Sequence, residues 1–389
     1  MRTLDDVEVD GKRVLVRVDF NVPLDGAVIT DDTRIRAALP TLMALRERGA
    51  RLILVTHLGR PKGEDPSLST EPVARRLEEL IGAPVLRAGS VVGPAVLEQS
   101  HQLEPGGILM LENVRYEPGE TVNDDTLARS LAELADVYVN DAFGAAHRAH
   151  ASTEGVTHHV QASAAGLLLQ REVQTLNAIF DAPDRPLVAV VGGAKVTDKI
   201  DVIDRFLEIA DVIAIGGAMC FPFFAAQGHG VGASLCEPEG IEPALRALEA
   251  ASASGCRLEL PVDLVLGERF DAQTTVRELD GIDVPDGWMG LDVGPRTRAL
   301  YAAEIAGAGS VLWNGPMGAF ELAPFAAGTL AVAQAVADAK GVTVVGGGDS
   351  VAALVQFGFS DRVTHLSTGG GAFLELLEGK SLPGVEALS

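Results

Sequence analysis

The stretch LVAVVGGAKVTDKI, residues 187–200, decides the fold of the second half of the chain. An apolar run breaks at two glycines, and a charged segment that suits a helix follows them. The pattern predicts a strand, a glycine turn and a helix, with Lys195 and Lys199 one turn apart on one helix face. Phosphate fits such a turn, and two of the chain's six lysines lie here. The alternative is an ordinary turn with two solvated lysines, and the P-loop pattern of glycine, lysine and serine or threonine is missing.

Composition indicates two domains in a reducing compartment. The chain has 389 residues, and its hydrophobic fraction of 47% supplies apolar material for two cores. Its cysteines, Cys220, Cys236 and Cys256, have no paired spacing, so we expect neither disulfides nor a zinc knuckle. The net charge of −23 argues against nucleic acid and anionic membranes as partners. No signal-type segment occurs and no apolar run approaches the roughly 20 residues of a membrane span, so we expect a cytoplasmic protein.

Short apolar runs alternate with helix-like segments in the first half. The runs are RVLVRVDF, RLILVTHL, GILMLENV and DVYVNDAF, and helical periodicity is clear over residues 33–48, 70–81 and 124–134. This alternation predicts an α/β domain with a parallel sheet and right-handed crossovers. Ligands of open α/β sheets lie beyond the carboxyl ends of the strands, so the residues after each run are the first candidates for a site.

Polar and cationic side chains follow these runs, and Arg34 opens the first helical segment. They are Asp19 and Asn21, then His57 and Arg60, then Asn113 and Arg115, and finally Asp141, His147, Arg148 and His150. Because parallel strands end at one sheet edge, we expect the cations to bind a small, highly charged anion there. The alternative is a set of surface arginines that pair with acids. The histidine spacing is not that of a zinc site.

In the second half the alternation continues, but glycines follow the strands. Residues 164–180 are predicted to form one amphipathic helix, and DAPDRP after it marks a domain boundary. The later strands end in VVGGAK, AIGGAM, WNGPMG, VVGGGDS and STGGGAF. Such turns let a ligand approach the backbone closely, so they predict a nucleotide site. Asp349, in the GGGDS turn, is predicted to serve magnesium, with a helix N-cap as the alternative.

Together the two halves predict phosphoryl transfer between a nucleotide and a small anion. We expect the two sheet edges to face each other across a cleft whose closure excludes water from the moving group. Arg34, Lys195 and Lys199 are the candidate clamps on that group. An acceptor carboxylate needs no general base, because it is already ionised at neutral pH.

A series of motifs extends from one end of the chain to the other. They are RVDFNVP, THLGRPKG, ENVRYEPGE, DAFGAAHRAHAS, GGAKVTDKI, WNGPMGAFE, GGGDS and STGGGAFLELLEGK. In these motifs and their order the sequence resembles the phosphoglycerate kinase family. The resemblance implies an α/β fold of two doubly wound, Rossmann-like parallel-sheet domains facing across a hinged cleft. It also implies reversible transfer between the acyl phosphate of 1,3-bisphosphoglycerate and ADP, giving 3-phosphoglycerate and ATP with Mg²⁺.

The resemblance further implies roles for individual residues. The 3-phosphoglycerate positions are Asp19, Phe20, Asn21, Arg34, His57, Leu58, Gly59, Arg60, Arg115 and Arg148. The nucleotide positions are Gly193, Lys195, Lys199, Gly216, Gly217, Asn314, Glu321, Gly347, Gly348, Asp349 and Ser350. Among these, Arg34, Lys195 and Lys199 would be catalytic, Asp349 would serve Mg²⁺, and Glu321 would bind the ribose hydroxyls.

The expected organisation follows from these assignments. Residues 1–165 with the C-terminal segment 374–389 would bind 3-phosphoglycerate, 166–180 would form an interdomain helix, and 181–373 would bind the nucleotide. The resemblance implies a monomer without a nucleic-acid or membrane partner. Two other interpretations stay open. One is an NAD-binding two-domain oxidoreductase, against which the missing GxGxxG motif counts, and the other is a non-catalytic anion-binding protein.

Overall fold

The chain folds into two compact units. A computed structural model describes residues 1–389. One unit comprises Met1–Gln174 with Lys380–Ser389, and the other comprises Thr175–Gly379. Each unit contains one six-stranded parallel sheet, which confirms the predicted α/β class. No helix combines the length and the apolar character needed to cross a bilayer.

The first unit is built on the sheet β5-β6-β4-β1-β7-β8, with β2 and β3 as a separate hairpin. Its elements in chain order are β1 (Arg13–Arg17), β2 (Leu24–Asp25), β3 (Val28–Ile29), α1 (Thr33–Glu47), β4 (Arg51–Val55), α2 (Glu71–Ile81), β5 (Val85–Arg87), α3 (Pro94–Gln102), β6 (Ile108–Met110), α4 (Asp125–Glu133), β7 (Val137–Asn140) and β8 (Ser163–Ala165). The apolar runs form strands because helices cover them. Helix α1, for example, buries Ile35, Ala38, Leu42 and Leu45, which recur at helical spacing in one core with β1 and β4.

The junction after the first unit differs from the predicted single helix over residues 164–180. Ser163–Ala165 instead pair with β7 as strand β8, and helix α5 (Leu167–Asp181) begins after Gly166. A Cβ at Gly166 would come 2.1 Å from Asp141 Oδ1, and that oxygen accepts the backbone N–H of Leu168 at 2.9 Å. The carboxylate therefore satisfies the helix start and fixes it at this point. The boundary between the two units falls after Gln174, inside this helix and within the residues 166–180 that were expected to form the interdomain helix.

The second unit carries the sheet β11-β10-β9-β15-β16-β17 and a small antiparallel sheet, β13-β12-β14, that the sequence did not predict. Its elements in chain order are β9 (Leu187–Val191), α6 (Ile200–Ile209), β10 (Val212–Ile215), α7 (Cys220–Ala226), α8 (Ile241–Ser254), β11 (Arg257–Glu259), β12 (Leu264–Gly267), β13 (Val276–Leu279), β14 (Met289–Val293), α9 (Pro295–Ala306), β15 (Ser310–Asn314), α10 (Ala327–Asp338), β16 (Val342–Gly346), α11 (Gly348–Phe357), β17 (His365–Leu366) and α12 (Gly371–Leu377). Strand β9, the apolar part of the stretch 187–200, lies near the sheet centre with every residue buried.

The last ten residues return to the first unit and contain helix α13 (Pro383–Glu386). The backbone N–H of Arg2 donates to the carbonyl of Leu388 at 2.8 Å, and Asn140 Nδ2 donates to the carbonyl of Gly384 at 3.1 Å. The return begins at Lys380 and not at the predicted residue 374, because helix α12 holds the chain in the second unit until Leu377.

The loop after β9 corrects one prediction. Helix α6 starts only at Ile200, so Lys195 lies in the loop and Lys199 is the N-cap, and the two do not share a helix face. Lys199 N donates to the carbonyl of Val196 at 3.0 Å, which closes a turn. Val196 is buried, and a Cβ at Gly240 would come 2.4 Å from it. This anchored side chain keeps the loop non-helical for several residues after the glycines.

Candidate active site

The four central strands of the first sheet position the predicted anion site. Strands β6, β4, β1 and β7 are neighbours and run parallel, so their carboxyl ends lie at one edge. The predicted residues follow those ends, apart from Arg34, which lies in the first turn of α1. The structure therefore gathers these residues at one sheet edge, and the contacts that hold their side chains depend on the fold.

Asp19 and Asn21 connect the loop that follows β1 to helix α1 and to the loop that follows β4. Arg34 Nη1 donates to Asp19 Oδ2 at 2.9 Å, and Asn21 Oδ1 accepts the backbone N–H of Gly59 at 2.8 Å. Arg34 uses one guanidinium N–H group on Asp19 and its side chain stays 34% exposed. It therefore keeps donors for a ligand while its position is fixed.

Arg17 fixes the position of the His57 ring through a hydrogen bond. The sequence analysis did not single out this arginine. Arg17 is buried, and its Nη2 donates to His57 Nδ1 at 3.1 Å while its Nε donates to Ser152 Oγ at 2.9 Å. Ser152 in turn donates to the buried carboxylate of Glu120 at 2.6 Å. Because a guanidinium only donates, His57 Nδ1 is the acceptor and the ring proton sits on Nε2.

The pKa of His57 agrees with that assignment. Burial lowers it well below its usual value, and the charges of Arg17, Arg115 and Arg34 lower it further. The ring is therefore neutral at pH 7 and presents one N–H donor.

The arginines after β4, β6 and β7 crowd together with few acids among them. Arg115 Nη1 donates to the carbonyl of Gly59 at 3.2 Å, and Arg60 is exposed with no hydrogen bond or ion pair to the protein. Burial lowers the pKa of Arg115, and the positive charges of Arg148, Arg17 and Arg60 lower it further. Arg60, Arg115 and Arg148 form no ion pair with a carboxylate, so the alternative of ordinary surface ion pairs does not describe these three arginines.

Three of the other predicted positions support the loops. Phe20 is buried and its N–H donates to Thr56 Oγ1 at 3.0 Å. Leu58 is buried and exchanges two hydrogen bonds with the Asn113 side chain, at 3.2 and 2.7 Å. Arg148 Nε donates to His147 Nε2 at 3.0 Å, which makes that histidine an acceptor and not a zinc ligand through the same atom. Phe20 and Leu58 therefore contribute backbone, while Arg148 contributes charge.

The second unit has a cavity of about 310 Å³ among its glycine turns. It is lined by Gly193, Ala194, Gly217, Ala218, Pro316, Gly318, Ala319, Phe320, Glu321 and Asp349. Four of these residues, Gly193, Gly217, Glu321 and Asp349, were predicted from the sequence. The other six stand inside the quoted motifs but were not singled out, because apolar side chains and single glycines carry no chemical signal of their own. They are Ala194, Ala218, Pro316, Gly318, Ala319 and Phe320.

Close backbone packing explains the glycines around this cavity. Gly217 has φ +69°, and a Cβ there would come 2.5 Å from the carbonyl oxygen of Gly193. Gly216 packs on Met317, where a Cβ would come 2.5 Å from the sulfur, so it lies behind the lining. The turns after β9 and β10 are thus in direct contact, and only glycine permits it.

Asn314, Gly347 and Ser350 also lie behind the lining. Asn314 Nδ2 donates to the carbonyl of Gly346 at 3.0 Å, and Ser350 Oγ accepts the N–H of Gly315 at 2.5 Å. Gly347 has φ +92°, and a Cβ there would come 2.6 Å from Asn314 Nδ2. These residues shape the turn before α11, and Asn314 Oδ1 is buried without a hydrogen-bond partner.

Lys195 and Lys199 are held differently. Lys195 is 54% exposed, with Nζ 3.4 Å from Glu237 Oε1. Lys199 Nζ donates to the carbonyl oxygens of Gly192 and, at 3.1 Å, of Asn314. Lys199 is therefore bound to the backbone beside the cavity, whereas Lys195 has one partner, the carboxylate of Glu237.

Burial lowers the pKa of Lys199 to about 8, although the negative charges of Asp349 and Asp198 act in the opposite direction. A lysine in this state is still mostly charged at neutral pH and gains from any further anion.

Asp349 stands in the first turn of α11, and the N-cap of that helix is Gly347. The N-cap alternative for Asp349 is therefore wrong. No group of three or more His, Cys, Asp or Glu side chains in the structure has the arrangement of a metal site. One carboxylate on a cavity wall suits a Mg²⁺ ion that takes its other ligands from substrate phosphates and water.

Comparisons with known proteins agree with this geometry. The family model described as "Phosphoglycerate kinase" matches residues 4–380. A protein of that name from Moorella thermoacetica is 54% identical over 388 residues, covering 100% of this chain and 98% of its own. Another from Rubrobacter xylanophilus is 53% identical over 388 residues, with the same coverage of 100% and 98%.

Solved structures give the same result. The phosphoglycerate kinase structure from Coxiella burnetii superposes with a TM-score of 0.90 at 40% identity, covering 99% of this chain and 97% of that one. The structure of the Pyrococcus horikoshii enzyme superposes with a TM-score of 0.87 at 32% identity, covering 100% and 98%.

Proposed function

The chain belongs to the phosphoglycerate kinase family, and from that premise we propose how its residues divide the reaction between the two units. The reaction is reversible phosphoryl transfer between 1,3-bisphosphoglycerate and ADP, which gives 3-phosphoglycerate and ATP. It makes the chain a phosphotransferase with a carboxyl acceptor. The oxidoreductase and non-catalytic alternatives are not favoured.

The observation that carries the residue assignment is the crowding of cations after β1, β4, β6 and β7. Burial lowers the pKa values of both His57 and Arg115, and the charges of neighbouring arginines lower them further. Because Arg60, Arg115 and Arg148 have no carboxylate partner, positive charge there is under-compensated. 3-Phosphoglycerate, with a phosphate and a carboxylate, supplies the missing negative charge. We assign its binding to Arg60, Arg115 and Arg148, with a further hydrogen bond from His57 Nε2.

The nucleotide belongs to the cavity of the second unit. Gly193 and Gly217 would admit its phosphates to the backbone, and Glu321 on the lining would accept the ribose hydroxyls. Asp349 would hold Mg²⁺ through one carboxylate, and the ion would offset the phosphate charge when bound. Lys199, fixed beside the cavity, would add a positive charge.

Arg34 and Lys195 would act on the phosphoryl group in transfer. Both keep free donors and both are partly exposed, with Arg34 at 34% and Lys195 at 54%. Phosphoryl transfer is catalysed mainly by positioning and by compensating the charge of the moving group, so cations held loosely enough to follow it are suited to the step. The acceptor carboxylate is already ionised, and no base is assigned.

We also propose that the enzyme acts as a monomer in the cytoplasm. All three cysteines are free, which suits a reducing compartment. Light scattering coupled to gel filtration tests the oligomeric state, and a mass of twice the 40.6 kDa chain would contradict it.

The test of the proposed function is ADP release from Mg-ATP with and without 3-phosphoglycerate. We expect turnover only with the acceptor, and a fall of about 10²-fold or more in Lys195→Ala, because that cation acts on the moving group. Lys340→Ala is the matched control, since it removes an exposed lysine before the first residue of β16, at the opposite end of that strand from its glycine turn. Turnover that ignores the acceptor would contradict the function, and equal losses in both variants would contradict the role of Lys195.

A further inference from the structure

One loop supplies half of the lining of the nucleotide cavity. It connects β15 to α10 and comprises residues 315–326. Pro316, Gly318, Ala319, Phe320 and Glu321 of this loop line the cavity. Its position therefore decides the shape of the site.

Asp292, near the end of β14, contacts the first part of that loop and the start of helix α10, which follows it. Its Oδ2 accepts the N–H of Gly328 at 2.7 Å, in the first turn of α10, and its Oδ1 accepts the N–H of Val293 at 2.9 Å. Gly318 touches the same carboxylate, since a Cβ there would come 2.3 Å from Oδ1. Strand β14 adds a second anchor, because the carbonyl of Leu291 accepts the N–H of Ala319 at 2.8 Å.

Burial of the Asp292 side chain costs folding free energy. The side chain is 3% exposed and forms no ion pair. Burial raises its pKa to about 7, although the N–H groups of Gly328 and Val293 and the charge of Arg298 lower it. A buried carboxylate without a charged partner is costly, and the hydrogen bonds that Asp292 accepts come from backbone N–H groups of β14 and of the start of α10, beside the loop that lines the cavity.

We propose that Asp292 is a positioning residue for the nucleotide, whose carboxylate fixes the 315–326 loop in the shape that the cavity requires. The inference rests on the proposed nucleotide site. It assigns to Asp292 no contact with the nucleotide and none with the reacting group. The carboxylate acts on the loop through its contacts with Gly318 and Gly328.

Asp292→Asn tests this directly, because an amide offers one acceptor oxygen where the carboxylate offers two. The NH₂ group would face either Val293 N–H or Gly328 N–H, and that donor would lose its partner. Gly328→Ala disturbs the same contact from helix α10, since its Cβ would come 2.2 Å from Asp292 Oδ1. It keeps the carboxylate and displaces the start of α10, so it serves if Asp292→Asn does not fold.

The fold offers a matched control in Asp263. This aspartate is 2% exposed and caps α9 in the same way, with Oδ2 accepting Arg296 N–H and Oδ1 accepting Thr297 N–H, both at 2.8 Å. A glycine, Gly294, packs on its carboxylate as Gly318 does on Asp292. No residue held by Asp263 lines the cavity. Asp263→Asn therefore removes an equivalent hydrogen bond at the start of a helix, and we expect it to leave the nucleotide cavity intact.

The experiment measures Mg-ADP affinity by calorimetry, KM for both substrates and the melting temperature for the full chain and its variants. We expect Asp292→Asn and Gly328→Ala to weaken Mg-ADP binding about tenfold and to leave the KM for 3-phosphoglycerate within about twofold. Asp263→Asn should lower the melting temperature similarly and bind Mg-ADP like the wild type. Unchanged Mg-ADP affinity in both Asp292→Asn and Gly328→Ala would overturn the inference. An equal loss of Mg-ADP affinity in Asp263→Asn would also overturn it. A wild-type chain that does not bind Mg-ADP would instead overturn the nucleotide site itself.

Discussion

The proposed anion site of the first unit and the proposed nucleotide site of the second would both bind phosphate groups, but they are built from different parts of the chain. The first consists of arginine and histidine side chains that follow four neighbouring strands, held by acceptors such as Asp19 and the carbonyl of Gly59. The second consists mainly of backbone, exposed by glycine turns such as the one at Gly217. The difference teaches that one site is specified by residue type and the other by main-chain conformation.

The largest effect should come from the first site. Arg34→Ala should lower kcat by about 10²-fold, because this cation compensates charge that develops during transfer, and should leave the nucleotide KM within about twofold. Steady-state kinetics with each substrate varied in turn measures both. Arg36→Ala is the matched control, because Arg36 lies on the same helix and pairs with Asp32 at the surface.

A wild-type kcat in Arg36→Ala together with the loss in Arg34→Ala would attribute the effect to the site. If Arg34→Ala raised only the KM for 3-phosphoglycerate, Arg34 would bind the acceptor without acting on the transferred group.

An intermediate effect should come from the backbone of the second site. Gly217→Ala should raise the nucleotide KM about tenfold, because the new Cβ would push the turn away from the carbonyl of Gly193. Gly228→Ala is the control, since Gly228 also has a positive φ, +86°, but a Cβ there meets nothing within 4 Å. Both variants should lose about 1–2 kcal/mol of unfolding free energy to the left-handed conformation.

Chemical denaturation measures the free energy of unfolding of both glycine variants. It separates the backbone strain that both share from the contact with Gly193 that only Gly217→Ala disturbs. A raised nucleotide KM in Gly228→Ala of the same size would mean that stability, and not the shape of the turn, controls the site.

The smallest effect concerns pH. The pKa of Lys199 is lowered to about 8 by burial, so its charge is present below pH 8 and is lost as the pH rises through that value. Nucleotide affinity should therefore fall about fourfold between pH 7 and pH 8.5, in proportion to the protonated fraction. Binding titrations over this range measure it, and Lys199→Arg, which stays charged, should give a flat profile. Affinity that rises with pH would contradict the assignment.

The contrast between the two sites also accounts for what the sequence predicted. Arg60 and Arg115 were predicted as site residues because cations placed after parallel strands must gather at one sheet edge. Arg17 was missed, since it stands within the apolar run of β1 and its role depends on Ser152 and His57, which are distant in the sequence. Periodicity gives no information about such contacts.

The second site was predicted at the level of its turns and less well in detail. The glycines marked the turns, but the helix phase assigned to Lys195 and Lys199 was wrong because the packing of Val196 delays the start of α6. Asp292 lies in an antiparallel sheet that the sequence did not reveal, and it touches the site only through backbone. A site built from main-chain atoms depends on tertiary packing. The types of its individual residues do not predict that packing.

Each unit should hold its own ligand, and this division can be measured directly. Calorimetric titration of the full chain with 3-phosphoglycerate and, separately, with Mg-ADP tests it in the wild type, Arg60→Ala and Gly217→Ala. Arg60 has no partner in the protein, so its removal leaves nothing unpaired. We predict that Arg60→Ala weakens only 3-phosphoglycerate binding and Gly217→Ala only Mg-ADP binding, each by about tenfold. Loss of both ligands in either variant would contradict the division.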